Sequence, residues 1–129
     1  MSLNDVTSTI IAAAIKVHRA LGPGLLESAY RACLAYELRK AGHFVEVEKP
    51  IPLIDEEVKL DCGFRADVLV DRNVIVECKA KEKLHPVEKA QVLSHLRLLG
   101  LQVGLLINFH ELLLKNGIQR IVNHYIEET

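Results

Sequence analysis

The sequence predicts an α/β protein, an α+β mixed sheet flanked by helices. Two stretches with apolar stripes, each closed by glycine, open the chain as helices. Extended apolar runs separated by polar turns then fill Val45 to Ala80. A third helical stretch after Pro86 leads into the very apolar Val103 to Ile107. The order is helix, helix, strand, strand, strand, helix, strand, then a β-like tail, with no repeat or linker.

Each element has its own signal. Asn4 or Asp5 can cap a first helix running to about Leu21, with Val6, Ile10, Ala13, Ala14, Val17 and Leu21 on one face. Gly22-Pro23-Gly24 stops it. A second helix is expected from about Leu25 to Ala41, with a wide apolar surface along Leu26, Tyr30, Leu34 and Leu38 and a stop at Gly42. Val45, Val47, Ile51 and Leu53 mark a strand, and Pro50 and Pro52 place part of it at an edge or bulge, because proline cannot donate to a ladder. Asp55-Glu56-Glu57 turns the chain. Val58 to Val70 returns with a bend at Gly63, and Asp71-Arg72-Asn73 leads into Val74 to Ala80. Pro86 suits the first turn of a helix that ends at Gly100. Val103 to Ile107 reads as a central strand, parallel to a neighbour. Asn116-Gly117 favours a hairpin between Leu112 to Lys115 and Ile118 to Val122.

Size and charge narrow the function. The chain has 129 residues, 50% hydrophobic and 26% charged, which fits one globular domain over residues 1–129. A formal net charge of −1 excludes a protein that coats nucleic acid through bulk basicity. Nucleic-acid contact would rest on a local basic patch, a metal, a partner chain or a homo-oligomer that pools basic residues. Lys16, Arg19 and Arg31 read first as a solvated helix face and second as phosphate contacts. Cys33, Cys62 and Cys78 are odd in number, lack ligand spacing and sit among apolar neighbours, so buried reduced thiols are expected. The N-terminus lacks a signal-peptide pattern, and the run from Ile10 to Ile15 is too short to cross a bilayer. The expectation is a cytoplasmic protein that spans no membrane.

The chemistry concentrates on Asp67, Glu77 and Lys79. Two apolar strands carry acid where a buried strand should carry hydrocarbon. Side chains alternate along a strand, so Glu77 and Lys79 share a face while Val76 and Cys78 share the other. Neighbouring carboxylates repel, and a divalent cation removes the cost. Mg²⁺ takes one or two carboxylates plus water and substrate phosphate, and it polarises a phosphoryl oxygen. A metal-dependent phosphodiester-cleaving site needs this set; a solvated face with a Lys–Glu pair would look the same in sequence. Glu27 in the first turn of the second helix reads, taken alone, as an acid at the positive end of the helix dipole. Gln91 is placed to reach a phosphate or a metal-bound water, and His95 follows one turn later. The remaining histidines show no ligand spacing, and no Gly-rich phosphate loop or nucleophile elbow is present.

Gly24-Leu25-Leu26-Glu27-Ser28-Ala29-Tyr30 resembles the signature of the GxxExxY proteins. The resemblance continues through Arg65-Ala66-Asp67, Ile75-Val76-Glu77-Cys78-Lys79-Ala80, Ala90-Gln91-Val92-Leu93 and Gly104-Leu105-Leu106-Ile107-Asn108-Phe109. That family is placed within the PD-(D/E)XK nuclease-like superfamily. The resemblance implies a restriction-endonuclease-like αβββαβ core, with an extra N-terminal helix and a C-terminal β-like extension. It implies Asp67, Glu77 and Glu27 as ligands of Mg²⁺ or Mn²⁺, Lys79 as the catalytic lysine, and Gln91 beside the metal. Tyr30, Arg65 and His95 are read as substrate contacts, and the substrate as nucleic acid, DNA ahead of RNA. His95 stands where related branches often carry tyrosine. Two functions follow: a metal-dependent nuclease, or a non-catalytic nucleic-acid-binding or regulatory module on the same scaffold.

Overall fold

The computed structural model describes residues 1–124, apart from the side chain of Cys62. The elements are α1 (Leu3–Leu21), α2 (Glu27–Lys40), β1 (Val45–Asp55), β2 (Val58–Val70), β3 (Val74–Lys79), α3 (Pro86–Leu99), β4 (Val103–Asn108), a 3₁₀ turn (Leu114–Gly117) and β5 (Ile118–Val122). The strands form one mixed sheet in the order β1-β2-β3-β4-β5. β3 and β4 are parallel and the other neighbours antiparallel. This is the expected restriction-endonuclease-like core, with α1 before it and β5 after it.

Helices cover both faces. α1 and α2 bury Ile10, Ala14, Leu34 and Leu38 against Val68, Val70, Val76 and Leu105. α3 buries Val92 and Leu96 on the opposite face, against Ile75 and Leu106. Each of the Val, Ile and Leu side chains contributes about 1.5–3 kcal/mol by leaving water. Gly104 lets α3 settle this closely, because a Cβ there would lie 2.9 Å from Val92 Cγ1.

The α1 cap differs from expectation. Ser2 is the N-cap: its Oγ accepts from the Asp5 amide, and Asp5 accepts from the Ser2 amide. Asp5 therefore closes a reciprocal capping box instead of capping the helix itself. α3 starts at Pro86 and stops at left-handed Gly100, as the sequence predicts. β1 is the edge strand that Pro50 and Pro52 require, with an irregular register between Ile51 and Leu53.

The tail corrects the sequence. Leu112 to Lys115 is not a strand, and Asn116-Gly117 is not a two-residue hairpin. The chain makes a 3₁₀ turn over Leu114–Gly117, and β5 pairs with β4. Gly117 lacks the positive φ that such a hairpin needs. It is glycine because a Cβ would meet the Asn108 carbonyl oxygen at 2.3 Å.

Sidedness inverts midway along the β1–β2 pair. Val45, Val68 and Val70 belong to the α1/α2 core, while Ile51 and Ala66, of the same strand parity, belong to the α3 core. The change falls between the pairs Val47↔Val68 and Lys49↔Ala66. Glu48 lies between them with φ 52°, a left-handed conformation costing of order 1–3 kcal/mol in a non-glycine residue. This twist presents the outer half of the hairpin to α3.

Glu88 anchors the entry to α3. It is buried, and it accepts from Lys81 Nζ at 2.5 Å and from the His85 amide at 2.7 Å. Burial works against its charge, but these bonds outweigh burial and hold its pKa below the ordinary 4.5. As pH falls, the unfolded chain protonates at this position before the folded one does. The contribution is therefore complete above pH 4.5 and is lost as pH falls through the lower folded value. Urea unfolding at pH 5.5 and 3.5 should show a larger loss of stability for the wild type than for Glu88→Gln.

Candidate active site

The site lies where β2 and β3 part. Their ladder holds only through Val70↔Val74, Leu69↔Ile75 and Val68↔Val76. Beyond it, two carboxylates replace the ladder bonds. The Cys78 amide donates to Asp67 Oδ2 at 2.8 Å, and the Asp67 amide donates to Glu77 Oε1 at 3.2 Å. Each acid thus satisfies a backbone donor of the opposite strand, and both are drawn into one gap. Asp67 is only 8% exposed, so its charge needs partners.

One partner is Arg31 of α2. Its Nη1 donates to Asp67 Oδ1 at 2.7 Å, and its Nη2 lies 3.4 Å from Glu48 Oε1. Burial works against the Arg31 charge, but the Asp67 hydrogen bond and the Asp67 and Glu48 charges outweigh it and raise the pKa. This corrects the reading of Arg31 as a solvated residue or phosphate contact. Arg31 lies four residues after Glu27, which places both on one helix face. That spacing was the available signal. Lys16 is tied to Glu37 at 2.9 Å, and Arg19 stays exposed.

Lys79 and Glu77 share the β3 face opposite Cys78, which is buried in the α1/α2 core. Burial, followed by the Asp67 and Glu77 charges, raises the Cys78 thiol well above its ordinary range. Cys78 is therefore a protonated core residue. Cys33 is half-buried and free, and the expectation for Cys62 concerns a side chain outside those described. Lys79 Nζ lies 3.9 Å from Glu27 Oε1, so the first residue of α2 reaches the site through the lysine. Arg65 is exposed on β2.

Tyr30 does not face substrate. It is fully buried; its hydroxyl donates to the Gly22 carbonyl at 2.5 Å and accepts from the Leu25 amide at 3.0 Å. Its ring stacks on Phe109 at 4.5 Å. The hydroxyl closes the α1–α2 turn, where Leu26 offers no side-chain cap. Tyr30→Phe would leave both backbone groups without this partner and should cost about 1–3 kcal/mol in urea unfolding. Activity per folded molecule should stay unchanged.

α3 forms the other wall. Gln91 is exposed and makes no hydrogen bond to the carboxylates. It lines a groove of about 570 Å³ between α3 and the outer hairpin, with Leu53, Phe64, Val87, His95 and Arg97. His95 joins this groove to the acids: its Nδ1 is 3.8 Å from Glu77 Oε1, and its ring is 5.8 Å from that of Phe64. That Nδ1 is buried without a hydrogen-bond partner.

The donor set suits a hard divalent ion. Asp67 and Glu77 offer carboxylate oxygens, and Mg²⁺ or Mn²⁺ takes its remaining ligands from water and phosphate. A carboxylate oxygen that accepts one hydrogen bond can accept another. As the side chains stand, no three His, Cys, Asp or Glu residues among those described come together as a group that could hold a metal ion. No helix among the described residues is long and apolar enough to cross a membrane.

A family model described as the PD-(D/E)XK nuclease superfamily matches residues 4–121. No curated protein and no solved structure gave a match.

Proposed function

Because the chain belongs to the PD-(D/E)XK nuclease superfamily, we propose that it is a divalent-metal-dependent nuclease of the GxxExxY branch, a single domain that hydrolyses phosphodiester bonds, in DNA ahead of RNA. The observation that supports this most is the pair of reciprocal bonds that draws Asp67 and Glu77 together where β2 and β3 part.

Asp67 and Glu77 hold Mg²⁺ or Mn²⁺, with Glu27 reaching the same site from α2. When bound, the ion supplies a polarised phosphoryl oxygen and a water of lowered pKa. Lys79 orients the attacking water and opposes the charge that builds on the phosphate. Glu27 keeps the ammonium of Lys79 turned toward the site. Gln91 and Arg97 contact the nucleotides beside the scissile bond from the groove.

The test is cleavage of labelled single- and double-stranded DNA and RNA with Mg²⁺, Mn²⁺ or chelator. Metal-dependent products are expected from the wild type, and Lys79→Ala should lose them. Equal background in both proteins would overturn catalysis. The Arg31–Asp67 bond favours a second reading, a non-catalytic module in which the guanidinium stands permanently where an ion would. Calorimetry separates the two: a folded protein that takes up no Mn²⁺ at millimolar concentration is the module.

A further inference from the structure

We propose that His95 is a nitrogen ligand of this metal centre, and that it makes the site favour Mn²⁺ over Mg²⁺. The inference rests on the metal-dependent reading above. It starts from an unsatisfied atom. His95 Nδ1 is buried without a hydrogen-bond partner. A buried polar atom left unpaired is costly, and native structures carry few of them. The Glu77 carboxylate approaches it, with Oε1 at 3.8 Å, which is too far for a hydrogen bond.

That separation suits two donors of one ion. Donors each about 2.1 Å from a shared centre lie at most about 4.2 Å apart. The ring is also held in place. Val92 and Leu96 anchor α3 in the core beneath it, and the Phe64 ring packs beside it. The three do not form a group that could hold an ion as the side chains stand. Asp67 completes the set from across the gap once it releases Arg31, and Glu48 is already within 3.4 Å of that guanidinium.

The donor type decides the metal. Two carboxylates alone suit Mg²⁺, whereas an added imidazole favours a transition ion. His95 thus sets which ion the centre accepts.

The experiment is pulsed electron paramagnetic resonance of Mn²⁺ bound to the protein, with histidine at natural abundance or ¹⁵N-labelled. The wild type should show a directly bonded nitrogen whose coupling changes with the label. His95→Gln should lose it. In calorimetry this variant should lose roughly tenfold or more in Mn²⁺ affinity, with Mg²⁺ affinity changed far less. Bound Mn²⁺ without nitrogen coupling in the wild type would overturn the assignment and leave the metal reading intact. An unchanged Mn²⁺ to Mg²⁺ affinity ratio in the variant would do the same. If the wild type takes up no Mn²⁺, both fail. The wild-type spectrum needs no variant, so a His95→Gln protein that fails to fold does not block the test.

Discussion

Asp67→Asn should reduce metal-dependent cleavage by roughly 10²–10³-fold or more while leaving the fold assembled. The substitution separates two jobs of one side chain. Asn keeps an oxygen that can accept the Cys78 amide now bonded at 2.8 Å. It loses the negative charge that would hold a divalent ion and that now faces Arg31 at 2.7 Å. An amide is a weak ligand for a hard cation, and its NH₂ cannot accept from guanidinium. Asp67→Ala loses both the charge and the strand-bridging acceptor. Urea unfolding should therefore place Asp67→Ala below Asp67→Asn by about 1–3 kcal/mol, with both inactive. Single-turnover cleavage on matched amounts of folded protein checks the first part. Activity in Asp67→Asn within a few-fold of wild type would remove Asp67 from the metal centre.

Gly117→Val should be among the most destabilising substitutions in the chain. A Cβ there would lie 2.3 Å from the Asn108 carbonyl oxygen and 3.0 Å from Glu111 Cγ. The first obstacle is backbone at the end of β4, so no rotamer change relieves it. Asn108 is itself fixed: its side chain accepts from the Lys81 and His110 amides and donates to the Lys81 carbonyl. The Phe109 amide also donates to the Lys79 carbonyl at 2.8 Å. Displacing this segment would disturb the end of β3 that carries Lys79. Overpacking of this kind costs about 1–3 kcal/mol or more. Asn116→Ala, at the exposed neighbouring position, should stay within about 0.5 kcal/mol of wild type. Urea midpoints of the two variants give the comparison.

Local chemistry explains what the sequence revealed. Pro86 and Gly100 bracket α3 because proline fits a first helical turn and glycine a left-handed stop. Pro50 and Pro52 announce an edge strand because they lack the donor an inner strand needs. Glu77, Lys79 and Cys78 were assigned to faces by strand alternation alone, and Cys78 is buried in the α1/α2 core as that requires. The resemblance makes Tyr30 a substrate contact, whereas its place on the apolar stripe with Leu34 and Leu38 already points inward; the turn that its hydroxyl closes is specified only by the fold. Asn116-Gly117 was misread because glycine serves two needs, positive φ and close approach, and the pair of letters does not say which. The Arg31–Asp67 bond joins residues 36 apart in sequence, so only the fold specifies it. Glu48 gave no signal, since nothing in its neighbours demands a left-handed glutamate within a strand.

The change of sidedness at Glu48 and Asp67 has a thermodynamic meaning. Ile51 and Ala66 of the outer hairpin pack in the α3 core, while Val45, Val68 and Val70, of the same parity in the inner halves of the same strands, pack in the α1/α2 core. Asp67 sits on the seam, linked to α2 through Arg31 and to β3 through Cys78. Glu77 faces His95 of α3 across the same seam. A ligand held between these acids would be a staple joining two cooperative units. By mass action, such a ligand shifts the equilibrium away from every open state in which the units separate. Occupancy of the site would then be felt as rarer local opening throughout the hairpin, far from any atom the ligand touches.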